Sequence, residues 1–183
     1  MIRGQAIQLR TVRETDLDRL YPLLTNIATR GDFVPLRIPS EPVFKRQFQE
    51  TGFWTEDEGR MLIVTPEDDI VGSIWYFKPI HYFDGFEIGY TTFDPQQRGR
   101  GIMTEALSLF ADYLFQSRNI HRVQLIIAEG NIASEKVAQK CGFTYEGTSR
   151  QAMFRSGHYL EMKWYSLLRD EVDACLPHRL FSS

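Results

Sequence analysis

The stretch FEIGYTTFDPQQRGRGIMTEALSLFADYLF, residues Phe86–Phe115, decides how the chain folds. Phe86 to Phe93 is aromatic, β-branched and punctuated by Gly89, which predicts a short buried strand. Asp94-Pro95 breaks it, because proline has no N–H to donate and its ring restricts the residue before it. After Arg98-Gly99-Arg100-Gly101, the residues Ile102, Met103, Ala106, Leu107, Phe110 and Leu114 recur at helical spacing. Thr104, Ser108 and Asp112 are expected to form a polar stripe on the opposite face of that helix.

A strand, a glycine-rich turn and a helix start make a phosphate site. The first turn of a helix has N–H groups without intrahelical partners, at the positive end of the helix dipole. Glycines let the backbone approach a pyrophosphate, and arginines add charge-assisted hydrogen bonds. The plainer reading is a tight turn with solvated arginines. Two specific phosphate motifs are excluded. No Lys-Ser/Thr follows the glycines, so this is not a P-loop, and Thr104 stands where the third glycine of a dinucleotide fingerprint belongs.

A length of 183 residues suits one domain, 1–183, with a substantial core. With 43% hydrophobic and 25% charged residues the composition is that of an ordinary globular protein. A net charge of −3 argues against a nucleic-acid partner, whose binding is carried by basic patches. The opening MIRGQAIQLR lacks the apolar run of a secretory signal, and nothing approaches the ~20 apolar residues of a membrane span. Cys141 and Cys175 give neither a disulfide framework nor metal-ligand spacing, so no metal is expected. A cytoplasmic protein is the simplest expectation.

Along the chain, Ile7 to Arg10 predicts a strand, and a helix follows with Leu17, Leu20, Leu23 and Leu24 inward. Its start is either a capping box from Thr11 to Glu14 or Asp16, and Pro22 implies a late start or a kink. Arg30 to Pro42 reads as a loop, Phe44 to Phe53 as a second helix. Met61 to Thr65 and Ile70 to Phe77 form an antiparallel pair around the polar turn Pro66–Asp69. In the next connection His81, Tyr82 and Phe83 are a lid or part of a subunit contact, which leaves a homodimer open. Arg122 to Ala128 is a buried strand, Asn131 caps a helix ending at Cys141-Gly142, and Phe143–Phe154 with Tyr159–Leu167 makes a terminal hairpin. The order β-α-α-β-β-β-α-β-α-β-β predicts an α/β (α+β) fold with a mostly antiparallel sheet and a central parallel pair flanked by helices.

Three blocks in this order resemble the GNAT N-acetyltransferase superfamily: EIGYTTFDPQQRGRGIMTEAL, then GNIASEKVAQKCGFTYEG, then an ending G-x-x-x-E-x-x-x-Y-S-L-L-R-D-E. Within it, the similarity is closest to the branch that includes ribosomal-protein N-terminal acetyltransferases. The family's pyrophosphate loop, Arg/Gln-x-x-Gly-x-Gly/Ala, fits from Gln96 or from Arg98. The register Arg98-x-x-Gly101-x-Met103 places the arginine directly before the helix, as the family does, and puts Met103 where a small residue is usual. The resemblance implies a central strand pair splayed at its C-terminal ends. The pantetheine of acetyl-CoA would lie in the gap against main-chain groups of Thr91, Thr92 and Phe93. The phosphates would sit over Arg98, Gly99, Arg100, Gly101, Ile102, Met103 and Thr104, with Asn131 also contacting pantetheine.

The implied reaction moves an acetyl group from the CoA thioester to a primary amine: a protein N-terminus such as that of a ribosomal protein, a polyamine, an amino sugar or another small amine. The amine attacks only when neutral, and alkylammonium groups have a pKa of about 10, so a base or a water chain is required. Glu87 is the leading candidate, mid-strand on one face with Gly89, Thr91 and Phe93, where half-burial would raise its pKa; otherwise it pairs with a cation and orders the sheet. Glu105 reads as structural or solvated. Many members carry a tyrosine as general acid four residues before the Gly-Phe pair; here that position is Ala138. Ser134 matches the serine of the N-terminal acetyltransferase branch and could hydrogen-bond the sulfur, or it could simply favour the helix start. Trp54, Phe33, Tyr82 and Met153 are candidates for an apolar acceptor pocket, and Asp57, Glu58 and Asp84 for attracting a cation. A non-catalytic acyl-CoA sensor on the same fold is the alternative, and an RNA- or ribosome-binding protein a third class that the acidic balance opposes.

Overall fold

A computed structural model describes residues 1–28, 31–34 and 36–172. Strands β1 (Ile2–Arg3) and β2 (Gln8–Thr11) precede helices α1 (Leu17–Thr25) and α2 (Glu41–Thr51). Then come β3 (Glu58–Val64), β4 (Ile70–Phe77), β5 (Gly85–Thr92) and helix α3 (Ile102–Ser117). The chain continues through β6 (Arg122–Ala128), α4 (Ile132–Lys140), β7 (Thr144–Arg155) and β8 (His158–Leu168). The strands form one eight-stranded sheet in the order β1-β2-β3-β4-β5-β6-β8-β7. Every pair is antiparallel except β5 with β6, so the expected mixed α/β layout is present. The terminal hairpin turns through Ser156 and Gly157, both at positive φ (49° and 85°), a geometry that suits the twist of two adjacent strands.

Alternation along the strands builds two cores. Ile74 and Tyr76 of β4, Phe86 and Ile88 of β5, and Val123 and Leu125 of β6 pack with α3. Leu62 and Val64 of β3, with Phe93, pack on the other face against Leu17 and Leu20 of α1 and Phe44 of α2. Glu87, Gly89 and Thr91 share that second face with Phe93, as their spacing predicts.

Several local expectations change. Helix α3 has no polar stripe: Ser108 and Asp112 are fully buried. The sheet covers one side of α3, and α4 and the N-terminal strands cover others, so side chains that repeat at helical spacing meet protein rather than water. Cys141 donates its thiol to the Thr104 carbonyl (3.4 Å), and burial pushes that thiol up to about 12, leaving it inert. Cys175 lies outside the described residues. Glu105 is buried and structural, its carboxylate accepting the backbone N–H groups of Gln5 and Ala6. Thr11 ends β2 rather than opening a capping box. Asp16 instead forms a buried bidentate pair with Arg10 (2.6 and 2.9 Å) and accepts the Arg13 N–H (2.7 Å), and α1 begins just after it. Pro22 stands inside α1, beyond its first turn, so the helix does not start late at the proline. Helix α2 begins at Glu41 with Pro42 in its first turn, earlier than the apolar pattern suggests, because proline is pre-set for that position.

Candidate functional site

Strands β5 and β6 pair through only three residues: Gly85 with Arg122, Phe86 with Val123, and Glu87 with Gln124. Beyond Glu87 they part, and a cavity of about 750 Å³ opens between Ile88–Phe93 and Leu125–Ala128. On the far side of β5 the ladder to β4 continues to Thr92, and the Phe93 N–H donates to the Val71 carbonyl (2.9 Å). Backbone groups alternate in direction along a strand, so those of Thr91 and Phe93 turn toward β4 and those of Tyr90 and Thr92 turn into the gap. Thr91, Thr92 and Phe93 all line the cavity, but the Phe93 N–H is committed to the sheet.

At the end of β5, Asp94 accepts the Gln96 N–H (2.8 Å) and turns the chain toward α3. Gly99 (φ 78°) and Gly101 (φ 81°) are both left-handed, which explains two glycines here. A Cβ at either would meet nothing within 4 Å, so the space above them is open. Gly101 caps α3, and the first backbone N–H to bond back is that of Glu105, to the Gly101 carbonyl (3.0 Å). The N–H groups of Ile102, Met103 and Thr104 form the free first turn of a helix start flanked by exposed Arg98 and Arg100. Met103 packs its side chain against the core, leaving its backbone to the turn. This donor set, an open glycine surface with two guanidinium groups, fits a pyrophosphate. The Arg98 guanidinium lies beside Gly31, whose carbonyl accepts from Arg155 of the terminal hairpin (2.8 Å).

Glu87 projects from β5 into the cavity where the strands separate. Burial raises its pKa to about 7, offset in part by a 3.4 Å hydrogen bond from Gln124 Nε2. Gln124 is itself buried and accepts from Arg122 Nε (3.4 Å), which fixes its amide with the N–H side toward Glu87. Arg122 forms a bidentate pair with Glu146, so its charge is matched elsewhere. No cation among the described residues pairs with Glu87, and the plain sheet-ordering role for this acid has no partner there.

On the opposite wall, Asn131 and Ser134 line the same cavity at the start of α4. Asn131 caps the helix by accepting the Ser134 N–H (3.3 Å), so capping does not need the serine hydroxyl. Tyr90 reaches across from β5, its hydroxyl 3.5 Å from the Ser134 carbonyl, and burial raises its pKa so that it stays protonated. Ala138 is fully buried in the core, and a tyrosine side chain there would overpack it.

Of the acceptor-side candidates, Phe33 and Met153 line the cavity and Trp54 and Tyr82 do not. Trp54 packs edge-to-face with Tyr76 and tilted against Tyr113 toward α3, while Tyr82 is exposed. Asp57, Glu58 and Asp84 are likewise away from it. Sequence reasoning missed Gln124, a polar residue of RVQLIIA on Glu87's face, and Trp75, whose indole lies where a Gly89 side chain would be. Among the described residues, no helix is long and apolar enough to cross a membrane, and no group of three His, Cys, Asp or Glu side chains could hold a metal ion.

A parallel pair that parts around a cavity, a glycine-rich helix start and an inward carboxylate together define an acyl-CoA-dependent acyltransferase. The model of the acetyltransferase (GNAT) domain matches residues 7–144. The probable N-acetyltransferase YjcK of Bacillus subtilis is 30% identical over 93% of this chain and 98% of its own length. The ribosomal-protein-serine acetyltransferase of Escherichia coli is 25% identical over 91% of this chain and 95% of its own. The fold also superposes on Vibrio cholerae spermidine N-acetyltransferase solved with CoA and spermine: TM-score 0.80, 19% identity, 92% of this chain and 99% of that one. The chain belongs to the GNAT family and is an acetyl-CoA-dependent N-acetyltransferase acting on an amine.

Proposed function

We propose that residues 1–183 work as one acetyltransferase domain in which a primary amine attacks acetyl-CoA directly within a ternary complex. The observation that carries this is the position of Glu87, at the parting of β5 and β6, facing the side of the sheet covered by α1 and α2. Acetyl-CoA supplies the thioester. Its phosphates lie over Arg98, Gly99, Arg100, Gly101, Ile102, Met103 and Thr104, and its pantetheine follows the free backbone edge of Tyr90 and Thr92, with Asn131 opposite. Glu87 takes the proton from the incoming ammonium, directly or through water, so that the neutral amine forms the new C–N bond. The Tyr90 or Thr92 N–H steadies the developing oxyanion, and as the C–S bond breaks the Ser134 hydroxyl donates a hydrogen bond to the sulfur. The amine is a protein N-terminus or a small molecule; the Escherichia coli relative is named for a serine of a ribosomal protein.

Initial-rate kinetics with acetyl-CoA and an amine panel test this. Intersecting double-reciprocal lines and no acetylated protein after incubation with acetyl-CoA alone are expected. Parallel lines with a covalent acetyl adduct would replace direct attack by a two-step route through a protein nucleophile.

A further inference from the structure

On the α1/α2 side of the sheet the cavity continues past Glu87 over a floor of two tryptophans. Trp75 of β4 faces Gly89 across the ladder, and a Cβ on Gly89 would come within 2.4 Å of the indole Cε2. The ring therefore lies down over the strand because position 89 has no side chain. The Arg60 guanidinium stacks on this ring 4.6 Å from its centre and donates to Ser73 Oγ (2.9 Å), which holds it in place. Trp164 of β8 is fixed by its Nε1–H bond to Ser149 Oγ (2.7 Å), and Ile126 lies opposite it on β6. Met153, Met162 and Phe33 add further apolar wall.

Charge on this lining is sparse. Among the described residues, Glu87 is the only acid on this lining and Arg60 the only base. An amine with a single ammonium would find a partner in Glu87. A polyamine would bring a second or third ammonium against described residues that offer no second carboxylate and do offer a like charge, so each extra charge would lose its water without a partner among them. The aromatic floor, by contrast, gains from an apolar body laid on it.

We infer that the acceptor is a small primary amine carried on an aromatic body and bearing one positive charge, its nitrogen toward Glu87 and its ring on Trp164, beside the Trp75–Arg60 stack. This rests on the acetyl-transfer reading above and narrows its acceptor to one chemical class. An apolar amine of this kind needs no second anion, and the cavity that holds it must also take the acetyl end of the cofactor, which favours a compact body.

The test compares 2-phenylethylamine, spermidine and a peptide with an N-terminal serine on the full-length enzyme with saturating acetyl-CoA, while acetyl-CoA binding is measured separately by calorimetry. The expected result is a kcat/KM for 2-phenylethylamine roughly 100-fold above the other two, the ratio that follows from one buried group left without its partner. Trp164→Ala should raise the KM for 2-phenylethylamine about 10-fold or more and leave that for acetyl-CoA unchanged; Trp164→Phe, which keeps the ring, should fall between. Spermidine or the peptide as the equal or better substrate overturns the aromatic-amine inference and leaves acetyl transfer standing. Tight acetyl-CoA binding with none of the three amines acetylated overturns this inference, and no acetylation across the wider amine panel overturns the acetyl-transfer mechanism as well.

Discussion

Replacing Glu87 by glutamine separates two things that burial does to this acid. The carboxyl titrates at about 7 in the folded protein against an ordinary 4.5. Between those values the folded chain holds a proton that the unfolded chain has already released, so stability falls as pH rises through that window and levels off above pH 7. The full loss is roughly 3 kcal/mol, because each pKa unit is worth about 1.4 kcal/mol. Glutamine keeps the acceptor for Gln124 Nε2 but carries no charge. Glu87→Gln should therefore match the wild type in stability near pH 4.5 and exceed it by up to roughly 3 kcal/mol at pH 8, a gain of about 6–12 °C in Tm for a chain of this size. Over the same range turnover should fall about 10²–10⁴-fold, with acetyl-CoA affinity barely changed. Thermal melts from pH 4 to 9, paired with initial rates, read both. Parallel stability curves for the two proteins would refute the raised pKa, and an unchanged pH–rate profile would pass the role of base to another group.

Gln124→Met removes the hydrogen bond that favours the Glu87 carboxylate, so the rising limb of kcat/KM against pH should move to higher pH, with the loss concentrated below neutrality; an unmoved limb would sink the coupling. Gly101→Val places a branched residue at φ 81° and should cost about 1–2 kcal/mol of stability while abolishing acetyl-CoA binding, and unchanged affinity by calorimetry would refute the phosphate assignment. Ser134→Ala should leave Tm unaltered and lower kcat about 10- to 150-fold, whereas Asn131→Ala should cost about 1 kcal/mol of stability as a lost helix cap. A melting loss in the serine variant with full turnover would reverse those two roles.

How far the chain can be read without coordinates depends on the range of the interaction. The strand at Arg122–Ala128, the strand at Ile70–Phe77 and the left-handed stop at Gly142 are local events, written in alternation and in one glycine, and the structure has them at those positions. The buried Ser108 and Asp112 were misread because helical spacing says which residues share a face, not whether water covers it. Glu87 was legible from its place in the strand, but its neighbours were not. Gln124 lies 37 residues further on, and only strand pairing brings the two together. The acceptor wall was the least legible part. Arg60, Trp75, Met153 and Trp164 come from four strands, and their chemistry exists only once β-sheet register has aligned them.

The brief pairing of β5 with β6 also has a mechanical meaning. Five strands lie on one side of it and three on the other, and three residue pairs at one end are all the ladder that joins them. The sheet is a seam left unsewn over most of its length, with α3 as the strap that carries the chain across. A ligand lying along the open edge supplies the missing stitches. By linkage, acetyl-CoA at 100 times its Kd would add about 2.7 kcal/mol to the stability of the whole. Amide exchange should slow most in β6 and β8, the half that the short ladder secures least, so that the enzyme at work is a tighter solid than the enzyme at rest.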